Sequence, residues 1–181
     1  MIIEYSSDEN DFLTHQLFVA SKSDRIRKKR RNSRIIGPLI YLALGLFYIF
    51  ENLIILAVIL FLLAVLWYFI YPLWERRYYI RHYRDFIREN YKERIGKTGT
   101  LEIKDEFLLG KSGGSESRVL TSELEEIDEI PTLILIRLKG GQSFLLPKDK
   151  IPNIDGVKAR LKELASFVKI NYNTDDKWEW K

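Results

Sequence analysis

Three groups of side chains in this sequence have types and spacings that could do chemistry. The first is cationic. Residues 22–34 hold Lys22, Arg25, Arg27, Lys28, Lys29, Arg30, Arg31 and Arg34 against a single Asp24. A second set, Arg77, Arg81, Arg84, Arg88 and Lys92, recurs at spacings of four, three, four and four, which is one stripe of a helix. Cations so arranged attract phosphate, whether in nucleic acid, inositides or anionic lipid headgroups. The second group is acidic: Asp105-Glu106, and the carboxylates between Glu123 and Glu129. The third is a pair of histidines, His15 and His82, in no metal-ligand spacing.

Most of this chemistry is set aside by context. The carboxylates fall in strand or turn sequence and alternate faces, the pattern of a solvated, aggregation-resistant strand. Ser112-Gly113-Gly114-Ser115 is glycine-rich but joins two strands, whereas phosphate-cradling loops lead into helices. The chain has no cysteine, so disulfides, thiolate metal sites and cysteine nucleophiles are excluded. No nucleophile–base pair stands out, and the expectation is a non-enzyme with no catalytic residue, cofactor or metal site.

What must position the cations is a membrane. All nineteen residues of 53–71 are aliphatic or aromatic, and as a helix they cover about 28 Å, close to a hydrocarbon core. Residues 35–50 are nearly as apolar, and only Glu51-Asn52 separates the two runs. This predicts two transmembrane helices, about 35–50 and 53–73, within a hairpin over 35–74. Pro38 is expected in the first turn of its helix, where a missing N–H costs little. Tyr68, Tyr71 and Trp74 are expected to form an aromatic belt at one interface.

The charge partition fixes the orientation. Residues 1–21 carry −4, residues 22–34 carry +7 and residues 75–97 carry +4. The excess of basic residues thus flanks both spans on one side, which places both termini in the cytoplasm of a multi-pass inner-membrane protein. The same positions argue against nucleic acid as the partner. Lys28, Lys29, Arg30, Arg31, Arg77, Arg81 and Arg84 are the candidate headgroup contacts.

The rest of the chain supplies a domain. Residues 2–6 are β-prone and could add a strand to a later sheet. Residues 9–21 carry Phe12, Leu13, Gln16, Leu17 and Ala20 at helical spacing, an amphipathic helix whose acidic face suits docking on the domain better than anionic lipid. Residues 75–97 read as a basic linker helix with an aromatic face at Tyr79, Tyr83, Phe86, Ile87, Tyr91 and Ile95. From Gly99 the period changes to two, with strands predicted at 100–104, 106–111, 117–121, 125–130, 133–139 and 142–146. Gly140-Gly141 marks the clearest hairpin. Ile154, Val157, Leu161, Leu164 and Val168 then form the apolar face of a closing helix, and the tail from Asn171 onward is expected to be loose.

This order, with Leu120 to Ile151 and especially Glu125-Glu126-Ile127-Asp128-Glu129, the run 133–138 and Phe144-Leu145-Leu146-Pro147-Lys148, resembles the YcxB-like family of small bacterial membrane proteins. Leu124 stands where that family often has tryptophan. The resemblance implies an α+β membrane protein in which a transmembrane hairpin carries a cytoplasmic, PH-like antiparallel β domain (98–171) closed by a C-terminal helix, with 1–34 before the hairpin and a tail at 172–181. It implies a fold and a location, and no reaction. The partners expected are membrane lipids, a protein, and a second copy of the chain. The function expected is that of an adaptor or accessory subunit, or alternatively a sensor of anionic headgroups.

Overall fold

The computed structural model describes all 181 residues. It contains, in order, β1 (Ile2–Ser6), α1 (Glu9–Lys22), α2 (Asp24–Phe50), α3 (Ile54–Asn90), β2 (Thr98–Ile103), β3 (Phe107–Ser112), β4 (Ser115–Leu120), β5 (Leu124–Glu129), β6 (Leu133–Leu138), β7 (Ser143–Pro147), α4 (Ile154–Val168) and β8 (Asn171–Thr174). These form two compact units. One comprises Met1–Gln16 with Arg84–Glu179, the other Leu17–Tyr83 with Trp180–Lys181.

The first unit is α+β. Its strands make two four-stranded sheets, ordered β1-β2-β3-β4 and β7-β6-β5-β8. The first strand does join: Ile3 lies opposite Leu101, both buried, and Ile103 exchanges main-chain hydrogen bonds with Met1. Period-two alternation puts Leu101, Ile103, Leu108, Ile127, Ile134, Ile136 and Leu146 into one core, which Val157, Leu161 and Leu164 of α4 complete. In β6, Leu133 to Ile136 are all fully buried, the signature of a central strand covered on both faces.

The turns follow from glycine. Gly113 and Gly114 both have positive φ between the paired Ser112 and Ser115, a two-residue loop whose twist matches its strands. The β6–β7 hairpin differs: only Gly141 is left-handed, in a longer loop in which Leu138 accepts from the Gly141 N–H and donates to Gln142. Asn153 caps α4 by accepting from the Gly156 amide, and Lys169 ends it in the left-handed region, with the Ile170 N–H returning to Ala165.

Several expectations about elements are corrected here. The tail is ordered: β8 pairs in parallel with β5, so the sheet is not purely antiparallel and α4 is not the last element. Tyr172 packs against the core, and ladder bonds and the side chains of Tyr172 and Asn173 hold the rest of the strand. Of the carboxylates of β5, Glu125 is exposed as expected and Glu126 half-buried, but the last two are not solvated. Asp128 and Glu129 are only 3% and 4% exposed, because an irregularity between Leu124 and Glu126 re-aims the strand and cations from other elements meet them. The 75–97 linker is no separate helix: α3 runs unbroken through Pro72 and stops at Asn90, leaving Tyr91 and Ile95 in a turn that ends at left-handed Gly96.

The second unit is a helical hairpin. Ser23 caps α2 by accepting from the Ile26 amide, so the basic run is the first third of one long helix and Pro38 lies well inside it, not in its first turn. A proline there deprives the Arg34 carbonyl of its intrahelical donor; in that turn the Trp67 indole N–H donates to Ser33 O at 3.4 Å. At the other end Asn52 takes φ 59° while Asn52 and Leu53 return their N–H groups to Ile49 and Tyr48, a left-handed cap that reverses the chain within residues 51–53. The helices run antiparallel and approach closely at glycine: a Cβ on Gly37 would fall into the Trp67 ring, and one on Gly45 into Phe61. Ala57 and Ala64, one heptad apart, are the buried small residues of α3.

Candidate functional site

Both long helices are apolar enough to cross a membrane, and the chain does not cover them. Within their most apolar windows only 6% and 11% of residues are buried. A core helix of a soluble protein would bury most of that surface. Phe50 and Ile55, beside the turn, are 82% and 81% exposed. Between Arg34 and Glu75 the only acidic or basic residue is Glu51, in the turn itself.

The end of the hairpin opposite the turn carries the cations. Lys28, Lys29 and Arg31 on α2, and Arg77 and Arg81 on α3, are exposed and make no ion pair. Arg30 behaves differently. Its guanidinium donates to Glu75 at 3.1 Å, lies 4.5 Å from the Trp180 ring and is only 22% exposed. Glu75 is buried and also accepts from the Tyr71 hydroxyl. Arg30 is therefore a bracket between α2, α3 and the end of the chain rather than a free headgroup contact. Arg84 belongs to the other compact unit, where it and Arg88 pair with Glu9 at 3.3 and 3.1 Å.

Aromatic rings mark the same end. Trp67, Tyr71, Trp74, Tyr78 and His82 stack in sequence along one face of α3, with centroids 5.2, 5.8, 5.6 and 6.1 Å apart. The spacing of four, three, four and four makes the ladder legible, yet Trp67, Tyr78 and His82 were not expected in the belt. Tyr68 faces elsewhere, with the Arg34 guanidinium 4.2 Å above its ring. Arg34 is thus one more cation of this end, missed because it was counted only as part of a run.

No family model, curated protein or solved structure matches this chain. Its chemistry has to be read from its own side chains.

In the β-sheet unit three networks gather buried and half-buried carboxylates. Glu129 accepts from Lys148 at 2.9 Å, from Lys158 at 2.7 Å and from the Tyr172 hydroxyl at 2.8 Å. Burial alone would raise its carboxyl, but the two ammonium groups and the phenol overcome it and bring the pKa down to about 2. Arg137 lies among Glu125, Glu126 and Asp128, and Asn173 ties the last two together. Lys150 bridges Asp8 and Asp11 at the start of α1. Each network joins separate elements of the unit. His15 is half-buried with its Nε2 shielded from solvent; desolvation, helped by the charge of Arg137, lowers it to about 4, so the ring is neutral at pH 7. Its Nε2 has no hydrogen-bond partner.

Proposed function

We propose that this chain is a membrane-anchored, non-catalytic interaction module. In this reading α2 and α3 cross a bacterial-type inner membrane as an antiparallel pair, both termini lie in the cytoplasm, and the β-sheet unit is a PH-like domain of the YcxB-like kind that binds a protein partner. The observation that carries it is the contrast along the hairpin: apolar surface left bare by the chain, bounded at one end by exposed, unpaired cations. The element order of β strand, helix, hairpin, meander and helix supports the kinship, and the open outer edge of β4, which pairs only with β3, supports a partner added as a strand.

The chain lacks cysteine, so topology is testable directly. Single variants Asn52→Cys, Lys29→Cys and Asp149→Cys are probed with a membrane-impermeant maleimide in spheroplasts and in inverted vesicles. Labelling of position 52 only from outside, and of 29 and 149 only from inside, is the expected result; labelling of all three from one side would overturn the span assignment. For the partner, photo-crosslinkers at Glu116 and Arg118 on β4 should capture one recurrent protein in native membranes. Capture of lipid alone would sink the adaptor reading.

A second reading rests on the five unpaired cations Lys28, Lys29, Arg31, Arg77 and Arg81. Beside a membrane surface each attracts anionic headgroups by about 1 kcal/mol. Native mass spectrometry from mixed phosphatidylglycerol and phosphatidylcholine nanodiscs should show enrichment of the anionic lipid, lost when all five are glutamine. Equal retention of both lipids by the parent chain would remove this reading.

A further inference from the structure

The β-sheet unit contains a cleft whose charged lining residues are all basic and which no carboxylate lines. It opens between the β3–β4 hairpin and the start of β7, with a volume of about 250 Å³, and is continuous through Tyr5, Arg94, Ser112, Ser143 and Phe144 with a smaller recess of about 130 Å³ that Lys97 also lines. Arg94 and Lys97 sit three residues apart in the turn after α3 and make no ion pair. Lys111, on β3, pairs only with the exposed Glu116 at 2.9 Å. Elsewhere in the unit Arg84, Arg88, Arg137, Lys148, Lys150, Lys158 and Arg160 are each engaged by a carboxylate, whereas Arg94 and Lys97, like Arg118 over the Phe107 ring and Lys139 on the Ser122 carbonyl, are not.

The neutral groups point the same way. The hydroxyls of Ser112, Ser117 and Ser143 can donate, and the Ser115 hydroxyl bonds back to the Ser112 carbonyl, bracing the hairpin. Burial raises the Tyr5 phenol to about 12, so it stays a protonated donor at every physiological pH. Phe144 closes the floor, its ring resting on Gly110, where any side chain would collide with it. A cleft with two unneutralised cations, several hydroxyl donors and an apolar floor is complementary to an anion with several acceptor oxygens and a small carbon body.

We propose that this cleft binds a phosphate ester, with Arg94, Lys97 and Lys111 as the charged clamp and Ser112, Ser117 and Ser143 as hydroxyl donors. The ester is either soluble or the headgroup of an anionic lipid, since the recognised chemistry is the same. The site is distinct from the cations of the hairpin and does not depend on the adaptor reading.

The full chain is reconstituted in phosphatidylcholine nanodiscs with an environment-sensitive fluorophore on Gly140→Cys, a position with no heavy atom within 4 Å of an added Cβ. Inorganic phosphate and glycerol phosphate are titrated at constant ionic strength, and a parallel series replaces phosphatidylcholine by phosphatidylglycerol. Saturation by the soluble esters identifies a free ligand; a response to the lipid series alone identifies a headgroup; either supports the cleft. The double variant Arg94→Gln/Lys97→Gln should weaken the response at least tenfold, and Ser143→Ala should weaken it severalfold without altering the circular dichroism spectrum. The charge-matched control Lys169→Gln/Lys177→Gln, away from the cleft, should respond as the parent does. No saturable response to any of the three probes overturns the proposal, as does equal weakening in the control.

Discussion

Glu129→Gln keeps the shape of a buried side chain while removing the charge that Lys148 and Lys158 share. A carboxyl held at about 2 instead of the ordinary 4.5 contributes about 3 kcal/mol to the folded state, at about 1.4 kcal/mol for each tenfold change in acidity. The Glu129 side chain is 5% exposed, so solvent screening takes little from that figure. Because the folded carboxyl is the more acidic one, the contribution is complete above about pH 4.5 and is lost as the pH falls through 2. The glutamine variant should therefore be less stable than the parent by about 2–3 kcal/mol at pH 7, with the gap closing steadily between pH 4.5 and 2. The assay is guanidinium unfolding of the detergent-solubilised full chain, followed by the β-sheet circular dichroism signal at a series of pH values. Tyr172→Phe removes one donor to the same carboxylate and should cost about 1 kcal/mol, also only where Glu129 is ionised. A gap that stayed constant down to pH 2 would refute the reasoning, for the lost stability would then be packing rather than charge.

Acid should act on His15 earlier than on Glu129. Its folded value of about 4 lies below the ordinary 6.5, so the stability tied to the neutral ring is present above 6.5 and lost as the pH falls toward 4; His15→Phe should flatten that part of the stability profile, and an imidazole resonance titrating near 6.5 would contradict it. Arg30→Met leaves Glu75 buried without its cation and should destabilise the hairpin by about 2–3 kcal/mol. The double variant Arg30→Met/Glu75→Met should recover most of that loss in a thermal melt in micelles, and failure to recover would assign the loss to packing against Trp180 instead. Gly45→Val drives a side chain into the Phe61 ring and should lower the melting temperature of the helix pair, at about 1–3 kcal/mol; Phe61→Ala in the same background should relieve it.

Where the sequence was legible, periodicity made it so. Ile154, Val157, Leu161, Leu164 and Val168 declare α4 because a helix that covers a sheet must repeat its apolar residues every three or four positions, and the structure buries that face. The six strands between residues 98 and 147 were found for the corresponding reason. The misses share a cause as well. Asp128 and Glu129 look solvated because charge reads as exposure, and nothing local announces that Lys148, Lys158 and Tyr172, up to 43 residues away, will converge on one carboxylate. Asn171 to Thr174 carry no apolar alternation, so a strand held by polar side chains cannot be told from a loose tail. Pro38 was misplaced because the apolar run was taken for the helix, although Ser23 starts it before the charges. Of the seven candidate headgroup cations, five make no ion pair; Arg30 and Arg84 are claimed by Glu75 and Glu9, partners that spacing cannot reveal.

The pairing of Ile3 with Leu101 has a consequence for the order in which the molecule is made. Two adjacent strands of one sheet are separated by the whole of α1, α2 and α3, so the first strand to leave the ribosome waits for its neighbour until the hairpin has been synthesised. Closing so long a loop in a disordered chain is slow. Once α2 and α3 have folded back on each other through the short reversal at Asn52, most of that length is already spanned by rigid helix and the loop left to close is far shorter. A chain whose hairpin has failed to form is thus expected to carry its own report of the failure: an unpaired edge at β2.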